Sequence, residues 1–201
     1  MRVSTHMDRD TELAVVKRLC RGDHDAFDAV YGEFNARLFN FLARLSRSRD
    51  VAEDLLEETW LRLVANAERL RPDTRLGAWL FTVARNIHVS YCRSRAIDES
   101  LECGLVGLWP ASPGSASPFE EAAAGELERR GERAITALPA RYRETLLLVA
   151  IEGFSPAEAA AICAISPENL RQRLSRARSM LVREVGRQDE VAAAILREVT
   201  P

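Results

Sequence analysis

The chain has 201 residues, of which 47% are hydrophobic and 29% charged, and its formal net charge is −2 at pH 7. This composition is typical of a folded globular protein and excludes a wholly disordered chain. No apolar run is long enough for a membrane span or a secretory leader, and the four cysteines form no CxxC pair, so we expect a cytoplasmic protein with reduced thiols and no membrane insertion.

The first third of the chain predicts three amphipathic helices. Apolar residues recur at intervals of three and four over residues 10–22 and 25–45, a spacing that places them on one helix face. A third helix is predicted over residues 50–70, and we interpret Asp50 and Glu53 as a variant of the capping box at its start.

A fourth helix is predicted over residues 76–95, and its two sides differ in character. One side is apolar and carries Leu76, Trp79, Leu80, Val83, Ile87 and Tyr91. We therefore assign Trp79 to the core. The charges on the other side are all positive, which favours contact with an anionic partner.

The segment over residues 97–118 breaks every periodic pattern with Gly, Pro and Ser, and we interpret it as a flexible linker between two helical domains. It is also acidic, because residues 96–128 hold seven Asp or Glu and no Lys or Arg. The flanking parts of the chain are slightly basic.

The C-terminal part contains two Ser-Pro pairs eleven residues apart, after helices predicted over residues 119–137 and 139–152. Serine is a preferred N-cap, and proline costs nothing at the first helical position. Glu158 completes a capping box with Ser155. Two helices that begin so close together leave about three residues for the reversal, which is the helix-turn-helix geometry. We see no strand pattern, so the predicted fold class is all-α.

The second helix of this motif is rich in arginine on the side away from Leu170, Leu174 and Ala177. The residues that we expect to contact DNA are Glu168, Asn169, Arg171, Gln172, Arg173, Ser175, Arg176 and Arg178. Arginine pairs bidentately with guanine and Asn or Gln with adenine, whereas further arginines neutralise phosphates.

Taken together, these motifs resemble the bacterial sigma factors of the sigma-70 superfamily, specifically the extracytoplasmic-function (ECF) group. The segments "AEDLLEETW" and "AWLFTVARN" resemble region 2 of that group, and "ALPARYRETLLLVAIEGFSPAEAAAICAISPENLRQRLSRARSML" resembles region 4. The resemblance implies a dissociable specificity subunit of RNA polymerase, with no active site, metal or cofactor of its own. Region 2 would open the minus-ten promoter element, and region 4 would read the minus-thirty-five element.

The resemblance also implies where partners bind. Contact with the clamp helices of the largest polymerase subunit is expected at Asp54, Glu57, Glu58 and Arg62. Contact with the minus-ten element is expected at Arg69, Arg71, Arg75, Arg85, Asn86 and Arg93. Further expected partners are the flap region of the second largest subunit and an anti-sigma factor. The acidic linker either lies in a positively charged polymerase channel or is a solvated tether.

One position departs from the family pattern within the helix-turn-helix. Ala164 stands in the turn where the family usually has glycine. If the backbone there has a positive φ, alanine costs about 1 kcal/mol relative to glycine.

The predicted organisation is a region 2-like domain over residues 1–96, a linker over 97–118, a helix-turn-helix domain over 119–186 and a C-terminal tail over 187–201 with apolar residues at helical spacing. His88 and Cys92 stand four apart with Cys103 further along, but a fourth ligand is missing and we predict no metal site. Two other functions stay open: a decoy that sequesters an anti-sigma factor, and a simple regulator that uses only the helix-turn-helix.

Overall fold

The computed structural model describes residues 7–102 and 126–199, and within these ranges it contains helices and no strands. The all-α prediction is therefore confirmed. The chain divides into two compact units, residues 1–115 and 116–201. None of the helices in the described ranges has the length and hydropathy to cross a lipid bilayer.

The first unit contains four α-helices: α1 (Arg9–Leu19), α2 (His24–Ser46), α3 (Arg49–Asn66) and α4 (Leu76–Glu102). A 3-10 turn (Ala67–Arg69) extends α3. Polar side chains begin the helices, since the carboxylates of Asp8 and Asp23 accept from backbone N–H groups of the first turns of α1 and α2.

The start of α3 differs from the prediction. Its N-cap is Ser48, whose hydroxyl accepts from the Val51 N–H (3.4 Å), rather than Asp50. Asp50 lies in the first turn, where its charge favours the helix dipole. Glu53 pairs with Arg49 (2.7 Å) instead of completing a capping box.

The core of this unit lies between α2, α3 and α4. The fully buried rings of Phe41 on α2 and Phe81 on α4 meet edge to face, with centroids 5.2 Å apart. A second close contact between α2 and α4 lies at Gly77, where a Cβ would lie 3.2 Å from the ring of Phe34. The assignment of Trp79 to the core was wrong, since Trp79 is half-buried and Phe81 occupies the interior.

Helix α4 continues through Glu102, seven residues beyond the predicted end at Arg95. The first six residues of the predicted linker, 97–102, are therefore helical. The rest of that linker, Cys103 and the predicted start of the fifth helix at Phe119 lie outside the described residues, and the exact domain boundaries stay predictions.

The second unit contains α5 (Glu126–Ala137), α6 (Ala140–Leu146), α7 (Pro156–Ile162) and α8 (Pro167–Val199). A π turn (Leu147–Ile151) follows α6 directly, so the predicted helix over 139–152 changes its hydrogen-bonding pattern partway. Gly153, at φ +75°, ends this segment. Helix α8 is continuous across the boundary that was predicted at residue 186.

The two Ser-Pro pairs begin α7 and α8, as the sequence predicts. Ser155 and Glu158 form the complete capping box, and the Ser166 hydroxyl accepts from the Asn169 N–H (3.2 Å). Between the helices, Ala164 has φ +53°. Its N–H donates to the Ala161 carbonyl and the Ile165 N–H to the Ala160 carbonyl, the pattern of a Schellman C-cap.

Replacing Ala164 with glycine should stabilise the second unit by about 1 kcal/mol, because glycine adopts the positive φ without a Cβ clash. For a domain of this size the melting temperature should rise by roughly 4–8 °C, measured by calorimetry.

The matched control is Ala161→Gly, at an exposed position within α7. This change should destabilise the unit by up to about 1 kcal/mol, since glycine has a lower helix propensity than alanine and the backbone at residue 161 is helical. A lower melting temperature for Ala164→Gly would contradict the account of the turn.

Candidate functional site

The first turns of α8 present a polar face opposite a buried one. Leu170, Leu174 and Ala177 are buried. Seven of the eight predicted DNA-contacting residues are exposed: Glu168, Asn169, Arg171, Gln172, Ser175, Arg176 and Arg178. The eighth, Arg173, is half-buried. The helix thus offers donors and acceptors of the kind that read base edges, in a form that fits a major groove.

Tyr142 of α6 is a side-chain partner of Arg176. The guanidinium hydrogen-bonds to the tyrosine hydroxyl and keeps the pKa of that phenol below its ordinary value, against the opposing effect of desolvation. Arg141 lies over the same ring, 4.7 Å from its centroid. Both arginines therefore interact with the Tyr142 side chain.

A second basic surface lies in the first unit, along the α3–α4 loop and one side of α4. Arg69, Arg71, Arg75, Asn86 and Arg93 are exposed, and Arg85 is half-buried. Arg85 donates a hydrogen bond to the Asn86 side-chain oxygen (3.2 Å), and Arg71 forms an ion pair with Asp73 (3.2 Å). Asp73 thus offsets part of the positive charge of the loop.

The outward face of α3 is acidic at its start and apolar further on. Asp54 and Glu57 are exposed, and Glu58 pairs with Arg62 (2.8 Å). Leu61 and Val64 lie on the same face and are 57% and 60% exposed.

These two apolar residues were not among the predicted contacts. Their positions could have indicated a partner surface, because both lie outside the buried stripe of Leu55, Thr59 and Leu63. Exposed apolar side chains next to charged ones are typical of protein–protein interfaces.

His88 and Cys92 are neighbours on α4, with the thiol sulfur 3.6 Å from Nε2. Burial raises the pKa of the Cys92 thiol, which disfavours the thiolate that would bind a metal. Over residues 7–102 and 126–199, no three His, Cys, Asp or Glu side chains gather as metal ligands would.

Comparison with known families identifies both units. Residues 30–97 match the family model for sigma-70 region 2, and residues 131–181 match the model for sigma-70, region 4. The first match contains the acidic face of α3 and the basic side of α4. The second contains the helix-turn-helix.

Individual proteins agree with these matches. The ECF RNA polymerase sigma factor EcfG of Rhodopseudomonas palustris is 38% identical over 70% of this chain and 75% of its own length. The RNA polymerase sigma factor CarQ of Myxococcus xanthus is 32% identical over 80% of this chain and 90% of its own.

Among solved structures, the sigma factor RpoE of Bartonella quintana, in complex with the anti-sigma factor NepR, matches with a TM-score of 0.64 and 30% identity. The match covers 80% of this chain and 96% of that one. The chain therefore belongs to the sigma-70 family of RNA polymerase sigma factors, in its extracytoplasmic-function group.

Proposed function

We propose that this chain binds core RNA polymerase in the cytoplasm, directs it to a particular set of promoters and carries no active site of its own. The observation that carries the proposal is the exposed polar face of α8, opposite its buried leucines. A sigma factor needs such a face to select promoters, whereas a decoy that only sequesters an anti-sigma factor does not.

The minus-thirty-five element is the proposed ligand of α8. Asn169, Arg171 and Gln172 lie near the N-terminus of the helix, the part that contacts base edges in helix-turn-helix proteins. Arg176 lies further along the helix and interacts with Tyr142, and it is the proposed phosphate contact. Glu168, Arg173, Ser175 and Arg178 complete the proposed contact set.

The minus-ten element is the proposed ligand of the basic surface on the first unit, formed by Arg69, Arg71, Arg75, Arg85, Asn86 and Arg93. Opening about ten base pairs costs about 14 kcal/mol at about 1.4 kcal/mol per step, and each captured base returns about 1–3 kcal/mol. A small domain that captures two or three bases recovers about 2–9 kcal/mol and does not cover this cost alone. Polymerase contacts must supply the rest.

The outward face of α3 is the proposed contact for the clamp helices of the largest polymerase subunit. Asp54, Glu57, Glu58 and Arg62 supply charge, and Leu61 and Val64 supply apolar area. Full burial of an exposed Val or Leu side chain contributes about 1.5–3 kcal/mol, whereas a surface ion pair contributes about 0–1 kcal/mol. We therefore expect the two apolar residues to carry much of the affinity. The flap of the second largest subunit is the proposed contact of the second unit.

An anti-sigma factor is a further proposed partner. Its support is the Bartonella quintana relative, which was solved in complex with one.

Replacing Arg171 or Gln172 with alanine should weaken promoter binding by about 1–3 kcal/mol at one or two base positions and leave other positions unchanged. Replacing Arg176 should instead weaken binding to all sequences and lower the salt slope by about one. Holoenzyme affinities for a promoter library with a randomised minus-thirty-five element, measured at several salt concentrations, give both quantities. If Arg171→Ala weakened binding to all sequences equally, Arg171 would contact a phosphate rather than a base.

Leu61→Ala and Val64→Ala should each weaken binding to the clamp helices by about 1 kcal/mol or more, through loss of buried apolar area. Fluorescence titration with a fragment of the largest subunit that contains these helices measures the affinity. The control is Val182→Ala, which truncates an apolar residue of the other unit that is 72% exposed. An unchanged affinity for both α3 variants would show that the clamp helices bind elsewhere.

A further inference from the structure

Helix α1 contacts the backbone of the α3–α4 loop (residues 70–75) through Arg9. Nη2 of Arg9 donates to the Asp73 carbonyl (2.7 Å), and Nη1 donates to the Thr74 carbonyl (3.3 Å). One guanidinium therefore donates to two successive carbonyls, an arrangement that suits the planar, forked geometry of its N–H donors.

Glu12, one turn further along α1, completes this contact. Its Oε2 accepts from Arg9 (2.7 Å), and its Oε1 accepts from the Gly77 N–H in the first turn of α4 (3.3 Å). N–H groups in the first turn of a helix have no partner within that helix, and a carboxylate there also suits the helix dipole. Glu12 thus caps α4 from a different helix, and its side chain is only 13% exposed.

The other end of α1 contacts the other end of the loop. The Cys20 thiol donates to the Leu70 carbonyl (3.4 Å), and Leu70 is buried. Within the loop, the Thr74 N–H donates to the Arg71 carbonyl (2.9 Å), which closes a turn. Both ends of the loop are therefore tied to α1.

All these bonds between α1 and the loop reach main-chain atoms, so they constrain the shape of the loop independently of its side chains. Arg71 and Arg75 remain exposed on the constrained loop. Ordering a loop before binding reduces the entropy that binding must overcome, and it also fixes the direction in which side chains approach a ligand.

We propose that Arg9 and Glu12 are positioning residues for promoter recognition, and that α1 sets the conformation in which the α3–α4 loop meets the minus-ten element. This inference rests on the proposed function of that loop. Neither residue needs to touch DNA. Their effect is on the selectivity of the loop residues.

The experiment uses holoenzyme assembled with the full chain and a promoter library that is randomised in the minus-ten element and constant elsewhere. Arg9→Ala should reduce the preference for the best minus-ten sequence over mismatched ones by about five- to tenfold, the effect of losing one or two hydrogen bonds. Preference within a separate library of minus-thirty-five sequences should not change. Arg9→Lys keeps the positive charge but loses the paired N–H donors of the guanidinium, so its selectivity should lie between that of Arg9→Ala and that of the wild type.

The matched control is Arg18→Ala. Arg18 lies on the same helix and forms an ion pair of the same length, 2.7 Å, with Asp23 instead of the loop. It should retain the wild-type selectivity.

Hydrogen exchange of the free chain provides a readout that needs no polymerase. Glu12→Ala should speed exchange at the Gly77 amide by about five- to tenfold, and Arg18→Ala should not.

Two results would overturn the inference. One is an Arg9→Ala holoenzyme that keeps wild-type selectivity, and the other is equal loss in Arg9→Ala and Arg18→Ala, which would indicate a general stability effect. A wild-type holoenzyme that fails to initiate at all would instead refute the proposed function, and this inference with it.

Discussion

The backbone reversal at Ala164 determines where the polar face of α8, the proposed DNA contact, points. A positive φ at this residue lets the N–H groups of Ala164 and Ile165 bond to carbonyls at the end of α7. Ser166, the next residue, then caps the start of α8. The strain costs about 1 kcal/mol, whereas full burial of one leucine contributes about 1.5–3 kcal/mol. Burial of Ile162 and Leu170 on either side of the turn therefore outweighs it, and the polar residues of α8 are left exposed.

Both proposed DNA surfaces depend on short polar contacts that orient charged or flexible groups. In the second unit, the Tyr142 side chain interacts with Arg176. In the first unit, Arg9 and Glu12 of α1 bond to the main chain around the arginine-bearing loop. An arginine on a long flexible stem loses much side-chain entropy when it binds. Groups that restrict it, or the backbone that bears it, reduce that loss and improve selectivity.

Features set by local sequence were predictable. The capping box of Ser155 and Glu158, the second Ser-Pro start and the exposed face of α8 each depend on residues within a few positions of one another. Features that depend on packing between helices could not be predicted from the sequence. Periodicity gives the apolar side of α4 but not its rotation against α2, and so Phe81 rather than Trp79 enters the core. Ser48 and Asp50 both suit an N-cap, and only the entry path of the chain selects Ser48. The bonds from Arg9 to Asp73 and Thr74 join residues about 65 positions apart, which no local pattern reveals.

The decisive measurement is run-off transcription with core polymerase across a promoter library. Initiation at a defined set of promoters should depend on this chain, and the chain alone should open none of them. Two results would contradict it. Failure to associate with core polymerase and to initiate would favour a decoy, and tight binding to duplex DNA that is indifferent to core polymerase would favour a simple helix-turn-helix regulator.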